Sequence, residues 1–378
     1  MNPPEAQGRF SAPPLFFGGG TALKAMSGVL IRHTAGSVHV LTPFDSGGSS
    51  AVLRRTFDMP AVGDLRARIL SLADENKPGV KDLRAFFSHR LPRQGDEQWA
   101  GLIQGRHPLL HPLDKEKREL ICGRLAWLAG RLPAGFALAG ASLGNLFLAA
   151  EYLKAGRRLA PAIAALSRLV RARGKVFAVV QTPAHLAVRL LSGDLLLGQH
   201  TFSGKFGPAP PAPISRIWLT KSETSREPAR IAVSYAMARR IRRAGCVCYP
   251  MGSFYSSILA SLLPAGVGQA VAANAGPKIF IPNLGFDPEL AGHTLQMQVE
   301  RLLDVLLADA PGARPRDVLS HVLADARAGV YPGGIPQAWL AARGIILRDA
   351  RLVDPDSAPL AGAEKLVSAL ADLLRDAR

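Results

Sequence analysis

Cysteine, acidic residues, aromatics and long apolar runs are all scarce in this chain, and each scarcity removes a class of protein. Three cysteines in 378 residues make no disulfide framework. Cys246 and Cys248 stand two apart, a spacing that puts both thiols on one face of a strand. A metal site would need more ligands than lie nearby, so buried structural cysteines are expected. The most apolar stretches, residues 147–150 and 258–264, fall well short of the roughly 20 apolar residues that span a bilayer, so no membrane partner is expected. Asp and Glu number 29 against 46 Lys and Arg, a net charge of +17. That excess is mostly arginine, spread over sites such as Arg157-Arg158, 168–173 and 239–243. Aromatics, at 6%, do not interleave with these clusters, and no nucleic-acid module is recognisable. The charge therefore reads as solvated helix faces with a general attraction for anionic ligands, and no specific nucleic acid is expected.

Familiar catalytic signatures are missing too. There is no Walker lysine motif and no Gly-x-Gly-x-x-Gly fingerprint, which counts against P-loop NTPase and simple dehydrogenase readings. His185, His200 and His293 are scattered with no i, i+4 pair, so a zinc site is not expected. The N-terminal residues 1–14 are Pro-rich, lack a basic start followed by an apolar core, and read as a disordered tail. No export signal is visible, and a cytoplasmic location is the expectation.

What is present is a series of glycine-rich turns, each after an apolar or β-branched run or a tight Pro turn, and each opening a helical pattern. The first is Gly18-Gly19-Gly20-Thr21, the second Asp45-Ser46-Gly47-Gly48-Ser49-Ser50, and the third Gly63-Asp64-Leu65-Arg66. Such turns bring backbone N–H groups and helix N-termini around one anion, and glycine lets the backbone approach phosphate oxygens that a Cβ would keep away. Strands are expected at 15–17, 38–42, 176–181, 214–219, 247–249 and 278–281. Helices are expected at 22–30, 50–57, 64–74, 115–129, 144–153, 161–173, 229–243, 255–263, 293–307, 316–326 and 363–374. Alternation of this kind predicts an α/β fold with a Rossmann-like, doubly wound, mostly parallel sheet. Two apolar runs joined at Ser192-Gly193-Asp194 predict a small antiparallel hairpin excursion. Residues 90–132, rich in Arg, Lys, His and Pro, read as a helical insertion in a single domain over 15–378.

In an open α/β sheet, ligands bind beyond the carboxyl ends of the strands. Gly18–Thr21, Asp45–Ser50, Gly63-Asp64, Gly252-Ser253 and Asn283 would lie there, with Gly144-Asn145 as a sixth element. Gly47, Gly48, Ser49 and Ser50 offer a backbone nest with two hydroxyl donors. Thr21 either caps its helix or touches a phosphate. Asp45 and Asp64 are the two carboxylates that Mg²⁺ and a diphosphate could share; the plain alternatives are an Asx-turn for Asp45 and N-capping for Asp64. Arg54, Arg55 and Arg66 are candidate phosphate clamps, and Asn145 and Asn283 candidate hydrogen-bonders to a base or sugar.

The order of these motifs resembles the CofD/YvcK-like superfamily, which holds the 2-phospho-L-lactate transferases and the gluconeogenesis factors. The resemblance rests on Phe17-Gly-Gly-Gly-Thr-Ala-Leu23, on Thr42-Pro-Phe-Asp45-Ser-Gly-Gly-Ser-Ser50 with Leu53-Arg54-Arg55, and on Met59-Pro60-Ala-Val-Gly63-Asp64-Leu-Arg66. It continues through Ala139–Leu146, Gly252-Ser253-Phe254-Tyr255 and the 278–283 strand with its Asn283. Where the family carries a histidine before its glycine–asparagine helix start, this chain has Ala141, and Met251 replaces a family proline. The resemblance implies a nucleotide-diphosphate-linked small molecule in the cleft. In the transferase branch it implies magnesium-assisted transfer of a 2-phospho-L-lactate-like phosphoester group to an alcohol, with Asp45 and Asp64 in the catalytic and metal roles. In the other branch it implies a UDP-sugar-binding regulator of carbon or cell-wall metabolism without catalysis. It further implies a homodimer and partner proteins of the ATP-grasp or kinase type.

Overall fold

The computed structural model describes residues 10, 12–20, 23–34, 36–92, 95–204, 207–356 and 358–376. Among them the strands are β1 (Pro14–Gly18), β2 (Val38–Leu41), β3 (Lys175–Ala178), β4 (His185–Leu190), β5 (Leu195–Leu197), β6 (Ile214–Thr220), β7 (Cys246–Tyr249), β8 (Lys278–Phe280), β9 (His321–Ala324) and β10 (Ile346–Asp349). Seven of them form one parallel sheet in the order β10-β9-β8-β7-β1-β2-β3. β1, Pro-Leu-Phe-Phe-Gly, is buried along its whole length, as a central strand with helices on both faces must be. The chain runs outward from β1 through β2 to β3, returns to β7 on the other side of β1, and then runs outward again to β10. The strand order therefore reverses between β1 and β7. Loops leaving those two strands diverge, and the gap between them is where ligands enter such sheets.

Each face of the sheet is packed. On one, Leu15, Phe17, Val40 and Tyr249 meet Val299, Leu302 and Leu306 of the helix Leu295–Asp309. On the other, Phe16, Cys246, Cys248 and Ile279 meet the helices Lys24–His33 and Ala363–Asp376. Cys246 and Cys248 are wholly buried with their sulfurs 3.8 Å apart, on one face as their spacing predicts. The helix expected at 115–129 forms as Lys115–Ala129, with the Asp114 carboxylate accepting from the Lys117 N–H. Its Ile121, Leu125 and Leu128 are buried beside Phe86, Phe147 and Leu146, so the 90–132 segment adds a helical layer to the core. Phe10 is buried with the Lys24–His33 helix, and Pro14 already belongs to β1. Among the described residues no helix is long and apolar enough to cross a membrane.

Four expectations need correction. Residues 316–326 form a short helix, Pro315–Val318, followed by β9; a short apolar run reads equally as helix or strand until its neighbours are known. β10 has no counterpart in the expected strands, because three of its four residues are exposed and carry little pattern. β6 leaves the main sheet and pairs antiparallel with β4, giving a three-stranded sheet β5-β4-β6 around the expected hairpin. Finally, the helix expected at 64–74 spans Gly63–Ser71 with Val62 at its N-cap, so Asp64 sits inside the first turn and does not cap it.

Candidate functional site

The loop after β1 presses against the N-terminus of the helix Gly63–Ser71. A Cβ on Gly20 would lie 2.8 Å from Asp64 Cα, and one on Gly19 would lie 2.7 Å from Ser257 Oγ and 3.5 Å from Asp64 Oδ2. Only glycine permits this approach. Arg68 holds the loop from beneath, donating from Nη2 to the Gly19 carbonyl at 2.8 Å and from Nη1 to Ser27 Oγ at 3.0 Å. Burial pulls its guanidinium down to about 10, against the attraction of Asp64. Sequence reasoning missed Arg68, since nothing local separates it from the chain's other arginines. Thr21 lies outside the described residues.

The loop after β2 supplies the second wall. Asp45 Oδ1 accepts from the Gly47 N–H at 3.0 Å, the Asx-turn of the plain alternative. The other oxygen turns inward, 3.2 Å from where a Gly63 Cβ would stand; Ser50 Oγ lies 2.6 Å and Asn145 Nδ2 3.9 Å from that same point. Three polar groups from three elements thus close on Gly63 more tightly than a side chain would allow. The Asn145 amide donates to Ser49 Oγ at 3.0 Å, and its Oδ1, fully buried, has no partner among the described residues. The helix Gly48–Phe57 begins here at Gly47 with no side-chain cap. Its first N–H groups, which no intrahelical carbonyl can satisfy, face the site beside the Ser49 and Ser50 hydroxyls. Gly63→Ala should push Ser50 Oγ aside and leave the fold standing, and an anionic ligand held at this point should lose affinity at least about tenfold, ~1.4 kcal/mol. Titration calorimetry checks this, and unchanged affinity would place the ligand elsewhere.

The arginines divide by role. Arg54 is not the expected phosphate clamp: Nη1 donates to the Phe44 and Asp45 carbonyls at 2.9 and 3.0 Å and Nη2 to the Ala184 carbonyl at 2.6 Å. It braces the Asp45 loop from behind. Arg55 turns outward to Glu223, 3.3 Å away. Arg66 lies along the helix Leu143–Lys154, donating to Ser142 Oγ, and a Cβ on Gly144 would come within 2.6 Å of its Cδ. Burial, with Arg90 nearby, pulls it down to about 10. Arg90 itself, exposed at the start of the helical segment, reaches Ser49 Oγ at 3.4 Å and the Gly140 carbonyl at 3.1 Å. It is the cation nearest the hydroxyl cradle that a ligand can reach, and its 41-residue separation from Ser49 hides that from a linear reading.

Across the crevice, Asn283 is also a brace. Its Oδ1 accepts from the Gly252 N–H at 2.7 Å and its Nδ2 donates to the Gly252 carbonyl at 2.8 Å, so its amide fixes the loop after β7 and is taken up by backbone. That loop leads into a turn of π-helix, Phe254–Leu259. The first N–H groups of this turn are occupied internally: Asp287 accepts from Phe254, and buried Glu289 accepts from Tyr255 and Ser256. The helix start on the β2 side has no such carboxylate at its N-cap. Ser253 and Met251, with Met26, Leu284, Phe286 and Leu366, line a cavity of about 320 Å³. A smaller one, about 170 Å³, lies between Ser49, Val52, Arg90 and Phe136. Two apolar recesses thus flank the polar centre.

The three-stranded sheet docks on the Asp45 loop through His200, whose Nδ1 lies 2.8 Å from Ser46 Oγ. His185 stands behind it against Arg54. Burial first, then Arg54, pulls its ring down to about 4 from the ordinary 6.5. The folded state therefore favours the neutral ring: this contribution is complete above the ordinary value and is lost as pH falls from 6.5 toward 4. The melting temperature should fall through that window, and fall less in His185→Gln; identical acid limbs would show that the ring is not held neutral by the fold.

No three His, Cys, Asp or Glu side chains gather into a metal cage among the described residues. Asp45 and Asp64, on adjoining elements, are a donor set of the kind magnesium uses, one or two carboxylates completed by phosphate oxygens and water.

Comparisons with known proteins bear on the fold and the family. A protein from Bacillus subtilis described as a gluconeogenesis factor is 28% identical over 279 residues, covering 74% of this chain and 69% of the relative. A gluconeogenesis factor from Halalkalibacterium halodurans is 26% identical over 289 residues, covering 76% and 72%. A crystal structure of a UPF0052 family member from Bacillus halodurans superposes with a TM-score of 0.69 at 20% identity, covering 96% of this chain and 99% of that one; at that identity it attests the fold. The family model described as 2-phospho-L-lactate transferase CofD matches residues 15–331, every element of the crevice included. The chain belongs to the CofD family, and its curated relatives place it among the CofD/YvcK-like proteins.

Proposed function

We propose that the crevice between β1 and β7 binds a nucleotide-diphosphate-linked small molecule in the cytoplasm, and that the protein transfers a phosphoester group from it to an alcohol. The observation that carries this reading is the convergence of Asp45 Oδ2, Ser50 Oγ and Asn145 Nδ2 on the space beside Gly63. The N–H groups at the start of Gly48–Phe57, with Ser49 and Ser50, would hold phosphate oxygens, and Arg90 would add charge from the rim. Magnesium, when bound by Asp45 and Asp64, would neutralise the diphosphate. The acceptor hydroxyl attacks phosphorus, its oxygen forms the new P–O bond, and the bond to the leaving nucleoside monophosphate breaks. The proton leaving the acceptor hydroxyl would pass to Asp45 Oδ2, the carboxylate oxygen that the Gly47 N–H does not engage. Little covalent work is asked of the protein, and positioning with electrostatic stabilisation supplies the catalysis. The apolar recesses on either side would receive the base and the acceptor.

A second reading is favoured by the names of the curated relatives: a regulator that binds a UDP-sugar in the same crevice without turnover. Thermal unfolding with GDP, GMP, UDP-sugars and ATP, each with and without magnesium, separates the two. A ligand at a hundredfold excess over its Kd stabilises the native state by about 2.7 kcal/mol. Magnesium-dependent stabilisation by a nucleoside diphosphate supports the transferase, selectivity for UDP-sugars supports the regulator, and a flat response to all of them overturns both.

A further inference from the structure

A cavity of about 590 Å³ lies outside the crevice, as a groove along β3 between the helices Leu159–Leu169 and Tyr235–Arg242. β3 is the last strand of the sheet, and among the described residues nothing pairs with it on its outer side. Nine consecutive residues, 174–182, line the groove, all of β3 among them. The N–H groups of Lys175 and Val179 point to β2, bonding the Ser37 and Leu41 carbonyls at 2.8 Å. By the alternation of a strand, Val176 and Ala178 turn their N–H and C=O groups outward. The floor and walls are mainly apolar, with Ile163, Ala164, Val179 and Met237 among them.

The charge of this groove is one-sided. Its charged lining residues are Lys175 and Arg240, with the Arg240 guanidinium 3.8 Å above the Phe177 ring. The floor and one wall come from residues between 160 and 182, within a stretch, 152–193, that holds Lys154, Arg157, Arg158, Arg168, Arg171, Arg173, Lys175 and Arg189 and not one Asp or Glu. The opposite wall comes from residues between 232 and 240, on or beside a helix that carries Arg239, Arg240, Arg242 and Arg243 and no acidic residue. An open edge normally invites uncontrolled pairing; a basic surround admits an acidic strand and repels a basic one.

We infer that the outer edge of β3 receives an extended acidic segment of another protein, which adds to the sheet as an eighth strand. Its backbone would pair with Val176 and Ala178, its alternate apolar side chains would lie on the groove floor, and its carboxylates would meet Lys175, Arg240 and the arginines around them. Strand addition of this kind draws affinity from main-chain hydrogen bonds and selectivity from the flanking pockets. A second copy of this chain would bring like charge to the edge. A nucleic acid would leave the outward N–H and C=O groups unpaired.

The test uses the full chain and two fluorescein-labelled octapeptides, one alternating Asp and Val, the other Lys and Val, followed by anisotropy. The acidic peptide should bind, and the lysine peptide should not. Ala178→Pro should weaken binding at least tenfold, because it deletes an outward N–H while proline remains tolerated at an edge. Arg240→Glu should weaken it comparably without touching the backbone, so the proposal stays testable even if the proline variant fails to fold. Four results would overturn it: no binding of the acidic peptide; equal binding of both peptides; acidic-peptide affinity unchanged in both variants; or displacement by single-stranded oligonucleotide that binds both variants as tightly as wild type. A dimer in sedimentation that either variant dissolves would name a second copy as the occupant and overturn it as well.

Discussion

Asp45→Asn should lower turnover by about a thousandfold, ~4 kcal/mol at the barrier, while nucleotide affinity measured without magnesium changes by only a few fold. The substitution is chosen for what it keeps. Asp45 Oδ1 is held by the Gly47 N–H, and the amide oxygen of asparagine can take over that bond. The loop stays in place, braced from behind by Arg54 through the Phe44 and Asp45 carbonyls. What changes is the second oxygen, facing Gly63, which becomes an NH2 that can neither accept a proton nor bind a cation. Single-turnover release of nucleoside monophosphate, beside calorimetric titration of the nucleotide, reads the two quantities separately. If turnover and affinity fall together, Asp45 serves binding alone. If turnover is untouched, the reaction centre lies elsewhere and the transferase reading loses its support.

The largest effect on stability is expected from Glu289→Ala, a loss of about 3–5 kcal/mol. Glu289 is 1% exposed, and its carboxylate accepts from the Tyr255 and Ser256 N–H groups at 2.8 Å each and from Ser256 Oγ. Alanine would leave those donors buried and unpaired, at about 1–3 kcal/mol for each group. The consequence should reach the site, because the same turn of π-helix sets Ser257 against Gly19. Urea unfolding measures the loss, and Glu289→Gln, which retains one acceptor, should lose clearly less. A change below about 1 kcal/mol in the alanine variant would mean that water or a rearranged turn satisfies these donors.

The two substitutions act on features of unequal visibility. Asp45 could be found in the sequence because the turn that holds it is local: an Asp two residues before a glycine, after a β-branched run, at the start of a helix. Glu289 could not, because its partners lie 33 and 34 residues away and a lone glutamate in a loop carries no pattern. The same contrast separates the glycines from the arginines and asparagines. Gly20 is crowded by the backbone of Asp64, and Gly19 and Gly63 by the polar side chains of Ser257, Ser50 and Asp45. Arg54 and Asn283 sit at the expected edge of the sheet, yet their polar groups are taken up by carbonyls and amides of other loops. Asp64 moved the other way: its expected capping role disappears once the helix is seen to begin at Gly63.

By itself the sequence determined the alternation of strands and helices, the glycine turns that bring backbone to an anion, the buried face of Cys246 and Cys248, and the family. Those features depend on residues within a few positions of one another, where chain geometry leaves few choices. Only the tertiary structure decided that 321–324 is a strand, that β6 belongs to a second sheet, that Arg68 and Arg90 serve the crevice, and that Arg54 and Asn283 brace it. It also decided that β3 ends the sheet and leaves an edge open. Each of these turns on contacts between residues tens of positions apart, such as the 130 between Arg54 and Ala184. A side chain's partner at that range is set by how whole elements pack, and no local pattern encodes it.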